Sequence, residues 1–582
     1  MSDQIMETKD FQNDPLKSIP DAMPSNIHDI TKRFKNIAIK PAEISTLFAN
    51  EPVGSTRNFW GLDVRSPKYF QFKATVVYSS KNAVWYFPSP SIKQLPEISE
   101  LVTEFENVIW PETIRFFTPG LELPGKIAII HGSFPRLGGY FQASDILPLS
   151  INPYSNQRMG IYLNEPENLM DPSYLGTLTH ELQHLFHWHF DKNEEVWLQE
   201  GLSELAARRL NYQALPFSSF LKAPNVSLTK WPSSPGKSLP NYASASLFAG
   251  YLNEKLMARG IALLVANPSN GFTGIDNVLK LMDRKETSID LFHDWLISNY
   301  LNSSSEQYTY DYLEKTVSPN MVITKPGEFT ESVSQYGAWY TEILNSDDLL
   351  ISFSGAPATA VLPILPYSGE YCWWSNRGNS INSQLTRSFD LRNLNTASLN
   401  FKAWWDIEKQ WDHGYVTVST NLGRNWQILK GNWSSTDNPL GTSLGPSYTG
   451  QSEKWRNINM DLTPFVGNNI LLRFEYITDE SIDTPGWCLD DVKIKELGFF
   501  DNFEQADDAW EPNGFVKNTS RGVKQDFALF YVNEDNHVSE FTLNKNNKVT
   551  FSTDNSGTLI ITASAPKTSE PAYFNLTIES TP

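Results

Sequence analysis

The chain has 582 residues, and at roughly 150 residues per domain it holds about four domains, or one large domain with appendages; a single small module is excluded. Lys and Arg number 47 against 66 Asp and Glu, and the formal net charge of -19 disfavours nucleic acid and anionic membrane surfaces as partners. Hydrophobic residues make up 40% of the chain, with 18 Trp, which is material for packed cores rather than global disorder.

Residues 1–50 are mixed and polar, with breaks at Asn13-Asp14-Pro15 and Met23-Pro24-Ser25, and read as an extended arm or pro-segment-like lead. Met1 to Pro20 lacks the basic and apolar regions of a signal peptide. No run reaches the ~18 apolar residues of a membrane span; the nearest is Ile261 to Ala266. Strands are expected at 69–78, 83–87 and 126–131, with a helix at 96–109 between the last two. Strands and helices without strict alternation suggest α+β.

The stretch 171–315 reads as helical. Asp171 is placed as an N-cap with Pro172 at the first helical position, and Leu178, Leu182, Leu185 and Phe186 repeat at helical spacing as far as Phe190. Asp191-Lys192-Asn193 interrupts the pattern. Asn193 is the expected cap of a second helix with Glu194 and Glu195 in its first turn. Further helices are expected at 242–257, 275–283 and 289–301. From about 335 the chain reads as all-β, with strands at 397–405, 415–420 and 469–476 and Gly, Asn, Asp and Pro between them, a sandwich or jelly-roll pattern. The expected architecture is multidomain: a lead over 1–50, an α+β domain over 51–325, a β-rich connector over 326–366, a jelly roll over 367–497 and a C-terminal β domain over 498–582.

Nine histidines occur in the whole chain, and four of them, His180, His184, His187 and His189, fall within ten consecutive residues. Residues 180–184 read His180-Glu181-Leu182-Gln183-His184, the H-E-x-x-H pattern. On a helix, positions i and i+4 share a face, so two imidazoles can reach one metal ion, and Glu181 beside them can take a proton from water. A catalytic zinc needs a third protein ligand. His187 sits ~4.5 Å further along the same axis at 1.5 Å per residue, so a residue from another helix suits better. Glu200 fits, on the helix that the 191–193 break can fold back. Glu204, one turn later, could accept a hydrogen bond from a ligand imidazole. His187 and His189 read as helix-end residues.

His180-Glu181-x-x-His184 followed by Trp197-Leu198-Gln199-Glu200-Gly201 resembles the gluzincin metallopeptidases, with Gln199 where Asn is usual. The longer run Asn193-Glu194-Glu195-x-Trp197-Leu198-x-Glu200-Gly201-x-Ser203-Glu204 is similar to bacterial secreted proteases of the immune-inhibitor-A-like kind, which join a zinc peptidase to a MAM-like jelly roll. Trp373-Trp374-Ser375-Asn376-Arg377-Gly378 and Gly486-Trp487-Cys488-Leu489-Asp490-Asp491 resemble the opening and closing strands of that module. The resemblance implies a zincin-type peptidase domain, secretion, protein or peptide substrates, and hydrolysis by a zinc-activated water with Glu181 as general base. It also implies an oxyanion-stabilising group, for which Tyr242 is favoured over Tyr251.

Gly138 to Gln142 reads either as an edge strand that binds peptide or as a glycine turn before a strand. The tryptophans of the β region, Trp373, Trp374, Trp404, Trp405, Trp411, Trp426, Trp433, Trp455 and Trp487, fit a sandwich core better than a glycan-binding face. Asp490-Asp491 could hold a structural Ca2+, and Cys372 and Cys488, on the expected first and last strands that are commonly neighbours in such a roll, could form a disulfide or stay as two buried thiols. A monomer is expected. The alternative to a peptidase is a silent scaffold that binds glycans or surfaces.

Overall fold

The computed structural model describes residues 19–20, 22–35, 47–64, 66–88, 95–232, 236–302, 308–313, 315–344, 348–505, 509–553 and 556–581. Much of the expected lead, including Asn13-Asp14-Pro15, lies outside the described residues. Its described part includes α1 (Ile27–Lys35).

The next unit is built on a six-stranded sheet. Its strands are β1 (Thr56–Asp63), β2 (Lys68–Ser79), β3 (Ala83–Phe87), β4 (Ile127–Gly132), β5 (Gly139–Phe141) and β6 (Gly160–Asn164), in the order β1-β2-β3-β4-β6-β5. β3, β4 and β6 are parallel, whereas β5 runs antiparallel to β6 at the edge. β3 is buried along its whole length. Alternation divides its side chains: Trp85 and Phe87 enter the core beneath the helices, Val84 and Tyr86 the core on the opposite face.

The sequence between β3 and β4 forms α2 (Leu95–Glu104), a π turn (Phe105–Ile109) and α3 (Trp110–Phe117). After β6 come α4 (Pro172–Phe190), α5 (Val196–Arg209), α6 (Ser218–Lys222), α7 (Leu239–Val265), α8 (Gly271–Leu281) and α9 (Ser288–Leu301). Asp171 caps α4, accepting from the Ser173 amide at 2.8 Å. Leu178, Leu182, Leu185 and Phe186 face the sheet. α5 begins later than expected. Its N-cap residue is Glu195, which makes no side-chain cap, and the expected capping by Asn193 does not occur. Tertiary partners outcompete the local cap. Asn193 bonds Asn270, and Glu194 turns inward to accept from the Gly271 amide at 2.7 Å. α5 lies close against α7 because residue 201 is glycine: a Cβ there would meet the Ala245 carbonyl oxygen at 2.7 Å. α7 breaks at Met257, whose φ is 58°.

The β region joins segments far apart in sequence. The strand Leu349–Gly355 pairs with Lys548–Thr553 on one side and Ala572–Ser580 on the other. Ala338–Ile343 pairs with Gly557–Ala563. Strands expected in a connector and in a separate C-terminal unit thus share two sheets with one core, including Ile351, Leu529, Ile561 and Leu576. Between them the chain forms a second pair of sheets around Leu385, Phe401, Phe474 and Trp487. Short strands of the 499–519 stretch complete that pair, so its strands continue past 497, the expected end of the jelly roll.

The first unit and the sandwich are in direct contact. Tyr340 donates to the Leu296 carbonyl of α9 at 2.9 Å, and Phe530, Val532 and Ile560 enter the core of α5, α7 and α9.

Candidate metal centre

α4 presents His180 and His184 from successive turns, and the 191–195 turn returns the chain so that α5 presents Glu200 to the same point. The Nε2 atoms of His180 and His184 lie 3.1 Å apart. Glu200 Oε2 is 3.1 Å from the first and 3.4 Å from the second. One ligand atom from each of the three lies within 4.8 Å of the others. Their side chains remain 14–18% exposed, so the point is open to solvent on one side. Two imidazole nitrogens and a carboxylate oxygen in this arrangement form a donor set suited to zinc.

Glu204 occupies the far side of His180. Its Oε1 is 3.2 Å from Nδ1 of that ring, and its Oε2 accepts from the Leu215 amide at 2.9 Å. Burial disfavours a charge on His180, but the hydrogen bonds to Glu200 and Glu204 prevail and raise its pKa well above the ordinary imidazole value. Burial likewise opposes ionisation of Glu200, and the two histidines overcome it, holding the carboxyl well below its usual range. Glu181 lies on the adjoining side of α4, close enough to interact electrostatically with His180, His184 and Glu200. Burial raises its pKa despite both histidines, and it accepts from the Phe141 amide of β5. β5 crosses so close that a Cβ on Gly139 would meet Glu181 Cγ at 3.0 Å. Residues 139–141 form the edge strand of the sheet, with Gly139 against Glu181.

Tyr242, in the first turn of α7, hydrogen-bonds Glu200; burial, then repulsion by that carboxylate, raises its pKa well above normal. Its ring rests edge-on against Trp231, with centroids 4.6 Å apart. Tyr251 lies two and a half turns further on against Tyr310, with Asp294, Glu254 and Lys255 as charged neighbours, and takes no part in the centre. His189 is on the last turn of α4 beside the Phe190 ring. His187 is buried and belongs to a separate cluster with Asp191 and Glu194. The surface cavity of about 460 Å³ bounded by Arg115, Phe190 and Arg259 includes none of the centre's residues in its wall.

In the jelly roll, Trp373, Trp374, Trp404, Trp405, Trp426 and Trp487 are buried, as the core reading expects. Trp433 is exposed with Arg456 over its ring. Asp490 and Asp491 both turn to Ser368, accepting from its amide at 3.1 Å and its hydroxyl at 2.8 Å. Sequence reasoning did not find the close grouping of Glu408, Asp412 and Asp479. Burial and mutual repulsion raise the pKa of Glu408 to about 11. Only the fold brings residues 408–412 to 479. Cys372 and Cys488 are buried free thiols with sulfurs 3.1 Å apart.

Residues 350–520 match the family model described as Immune inhibitor A-like, MAM domain. Among curated proteins, the chain is 29% identical over 187 residues to the Pre-pro-metalloprotease PrtV of Vibrio cholerae serotype O1, covering 32% of this chain and 20% of that protein. It is 29% identical over 186 residues to Immune inhibitor A of Bacillus thuringiensis subsp. alesti, covering 31% and 26%. It is 26% identical over 211 residues to Bacillopeptidase F of Bacillus subtilis, covering 35% and 13%. The alignments thus span about a quarter or less of these relatives' lengths. Residues 350–520 carry an immune inhibitor A-like MAM domain, and the chain is similar to metalloproteases of the immune inhibitor A kind.

Proposed function

We propose that this protein is a zinc-dependent endopeptidase that hydrolyses peptide bonds of protein substrates outside the cell. The observation that carries the reading is the convergence of His180 Nε2, His184 Nε2 and Glu200 Oε2, with Glu181 on the adjoining side of α4 beneath β5. His180, His184 and Glu200 would hold the ion. A zinc ion held there would supply Lewis acidity toward the scissile carbonyl and would lower the pKa of water toward ~7.

The chain's own groups supply the rest. The free edge of β5 offers backbone donors and acceptors to an extended substrate, which would lie antiparallel or parallel to it as an added strand. Glu181 takes the proton of the attacking water and returns it to the leaving amine; burial, by raising its pKa, suits the carboxylate to that exchange. The Tyr242 hydroxyl, close to Glu200, donates a hydrogen bond to the oxyanion that develops on the carbonyl. Glu204 accepts from Nδ1 of His180 and leaves Nε2 free to bind the metal.

The test is hydrolysis of casein by the purified chain with and without a chelator, alongside Glu181→Gln. The variant should retain zinc and lose roughly 10²–10⁴-fold in rate. Cleavage by the variant at the parent rate would overturn the mechanism. Comparing N-blocked with free peptides separates endopeptidase from aminopeptidase action.

A further inference from the structure

We propose that His187, Asp191 and Glu194 form a second, structural site for a divalent transition metal of the zinc class, distinct from the centre of His180, His184 and Glu200. One ligand atom from each of the three residues lies within 4.8 Å of the others. All three are interior: His187 is 2% exposed, Asp191 5% and Glu194 0%. Buried polar atoms are almost always paired. Here both ring nitrogens of His187, Oδ2 of Asp191 and Oε2 of Glu194 are buried without a hydrogen-bond partner. Such a concentration of unsatisfied atoms in one place calls for a common partner.

The other oxygen of each carboxylate is already engaged, which aims the free one. Asp191 Oδ1 accepts from the Asn193 amide at 3.2 Å. Glu194 Oε1 accepts from the Glu195 amide at 2.6 Å and the Gly271 amide at 2.7 Å. Gly271 has φ 53°, and a Cβ there would meet the Glu195 carboxyl carbon at 2.7 Å, so the approach of α8 to this turn needs glycine. Burial keeps His187 in the neutral form that ligates a metal. Burial also raises the pKa of Asp191 and, with Asp191 adding repulsion, that of Glu194. A dication offsets both charges. One imidazole nitrogen with two carboxylate oxygens suits zinc, cobalt or manganese better than calcium or magnesium.

The position of the site gives it a role. It joins the last turn of α4, the 191–195 turn and, through Glu194, the start of α8. That turn sets where α5 places Glu200 relative to His180 and His184, so the second ion would brace the reversal on which the first centre depends.

The experiment uses the full chain, stripped with a chelator and reconstituted with Zn2+ alone, with bound metal counted by elemental analysis. Two zinc ions per chain are expected in the parent and one in either Glu194→Gln or Glu200→Gln. A zinc-induced rise in melting temperature should persist in His180→Ala/His184→Ala and disappear when His187→Leu is added. One zinc per chain in the parent, with none left in Glu200→Gln, would overturn the proposal and show the cluster to be held by a shared proton or water. Two zinc ions per chain in the parent, or none, decide the matter without a variant, and a single ion is assigned by which of Glu200→Gln and His187→Leu loses it. A parent that holds one zinc, retained in Glu200→Gln but lost in His187→Leu, would support this site and count against the other.

Discussion

Nδ1 of His180 lies 3.2 Å from Glu204 Oε1, while Nε2 of the same ring lies 3.1 Å from Glu200 Oε2. Two carboxylates one helical turn apart on α5 thus hold opposite edges of one imidazole. In the proposed peptidase the outer contact sets the tautomer and ring orientation, an effect worth about 10–100-fold in metal affinity. Glu204→Gln should weaken zinc binding by that factor in competition with a chromogenic chelator. The glutamine keeps an oxygen for the Leu215 amide, so the fold should survive. Unchanged affinity would remove Glu204 from the site.

Tyr242 approaches the same centre from α7 and makes its contact through the hydroxyl. Tyr242→Phe keeps the ring against Trp231 and deletes only that group. The rate of the chemical step should fall about 10²–10³-fold with KM and zinc content near the parent values. A fall in zinc content instead would mean that the hydroxyl serves to orient Glu200.

His180 and His184 were legible because positions i and i+4 of a helix must share a face, whatever surrounds them. Glu200 was legible because a short polar break between two helical patterns allows little besides a reversal. What stayed hidden depends on partners remote in sequence. Asn193 has every local mark of a cap, yet Asn270 and Gly271 take its neighbourhood for tertiary contacts. The cluster of His187, Asp191 and Glu194 has no regular spacing because it straddles a helix end and a turn. The strand Leu349–Gly355 reads as part of a connector, and nothing near it reveals that its partners are 548–553 and 572–580. Strand propensity marks a strand but not its neighbour.

Asp490 gives the jelly roll a pH dependence with a definite sign. Burial raises its pKa from 3.8 to about 7, against hydrogen bonds from the Ser368 and Asp491 amides. A carboxyl whose folded pKa lies above its unfolded value favours the folded state most when protonated in both states, below about pH 4. That contribution diminishes as pH rises toward 7. Melting temperature should therefore decline across this range in the parent and less steeply in Asp490→Asn, as followed by calorimetry. Parallel curves would show that Asp490 is not the titrating group.

Arg33 of α1 and Glu475 of the jelly roll form an ion pair at 2.8 Å, with 9% and 0% of their side chains exposed. Glu475 also accepts from Asn382 at 3.0 Å, and the backbone carbonyl of Arg33 accepts from the Trp426 amide. Two residues on, Lys35 donates to the Ile151 carbonyl at 3.0 Å, so α1 bridges the jelly roll and the helix-and-sheet unit. Removing one member of a buried pair leaves the other charge uncompensated, at a cost of about 3–5 kcal/mol. Arg33→Met should therefore destabilise the jelly roll by that order in denaturant melts and expose α1 to limited proteolysis. Adding Glu475→Met should restore much of the stability, because an apolar pair of similar size no longer buries a charge. If the double variant is no more stable than Arg33→Met, the contribution of Glu475 lies in its bond to Asn382, and α1 is held by its backbone contacts instead.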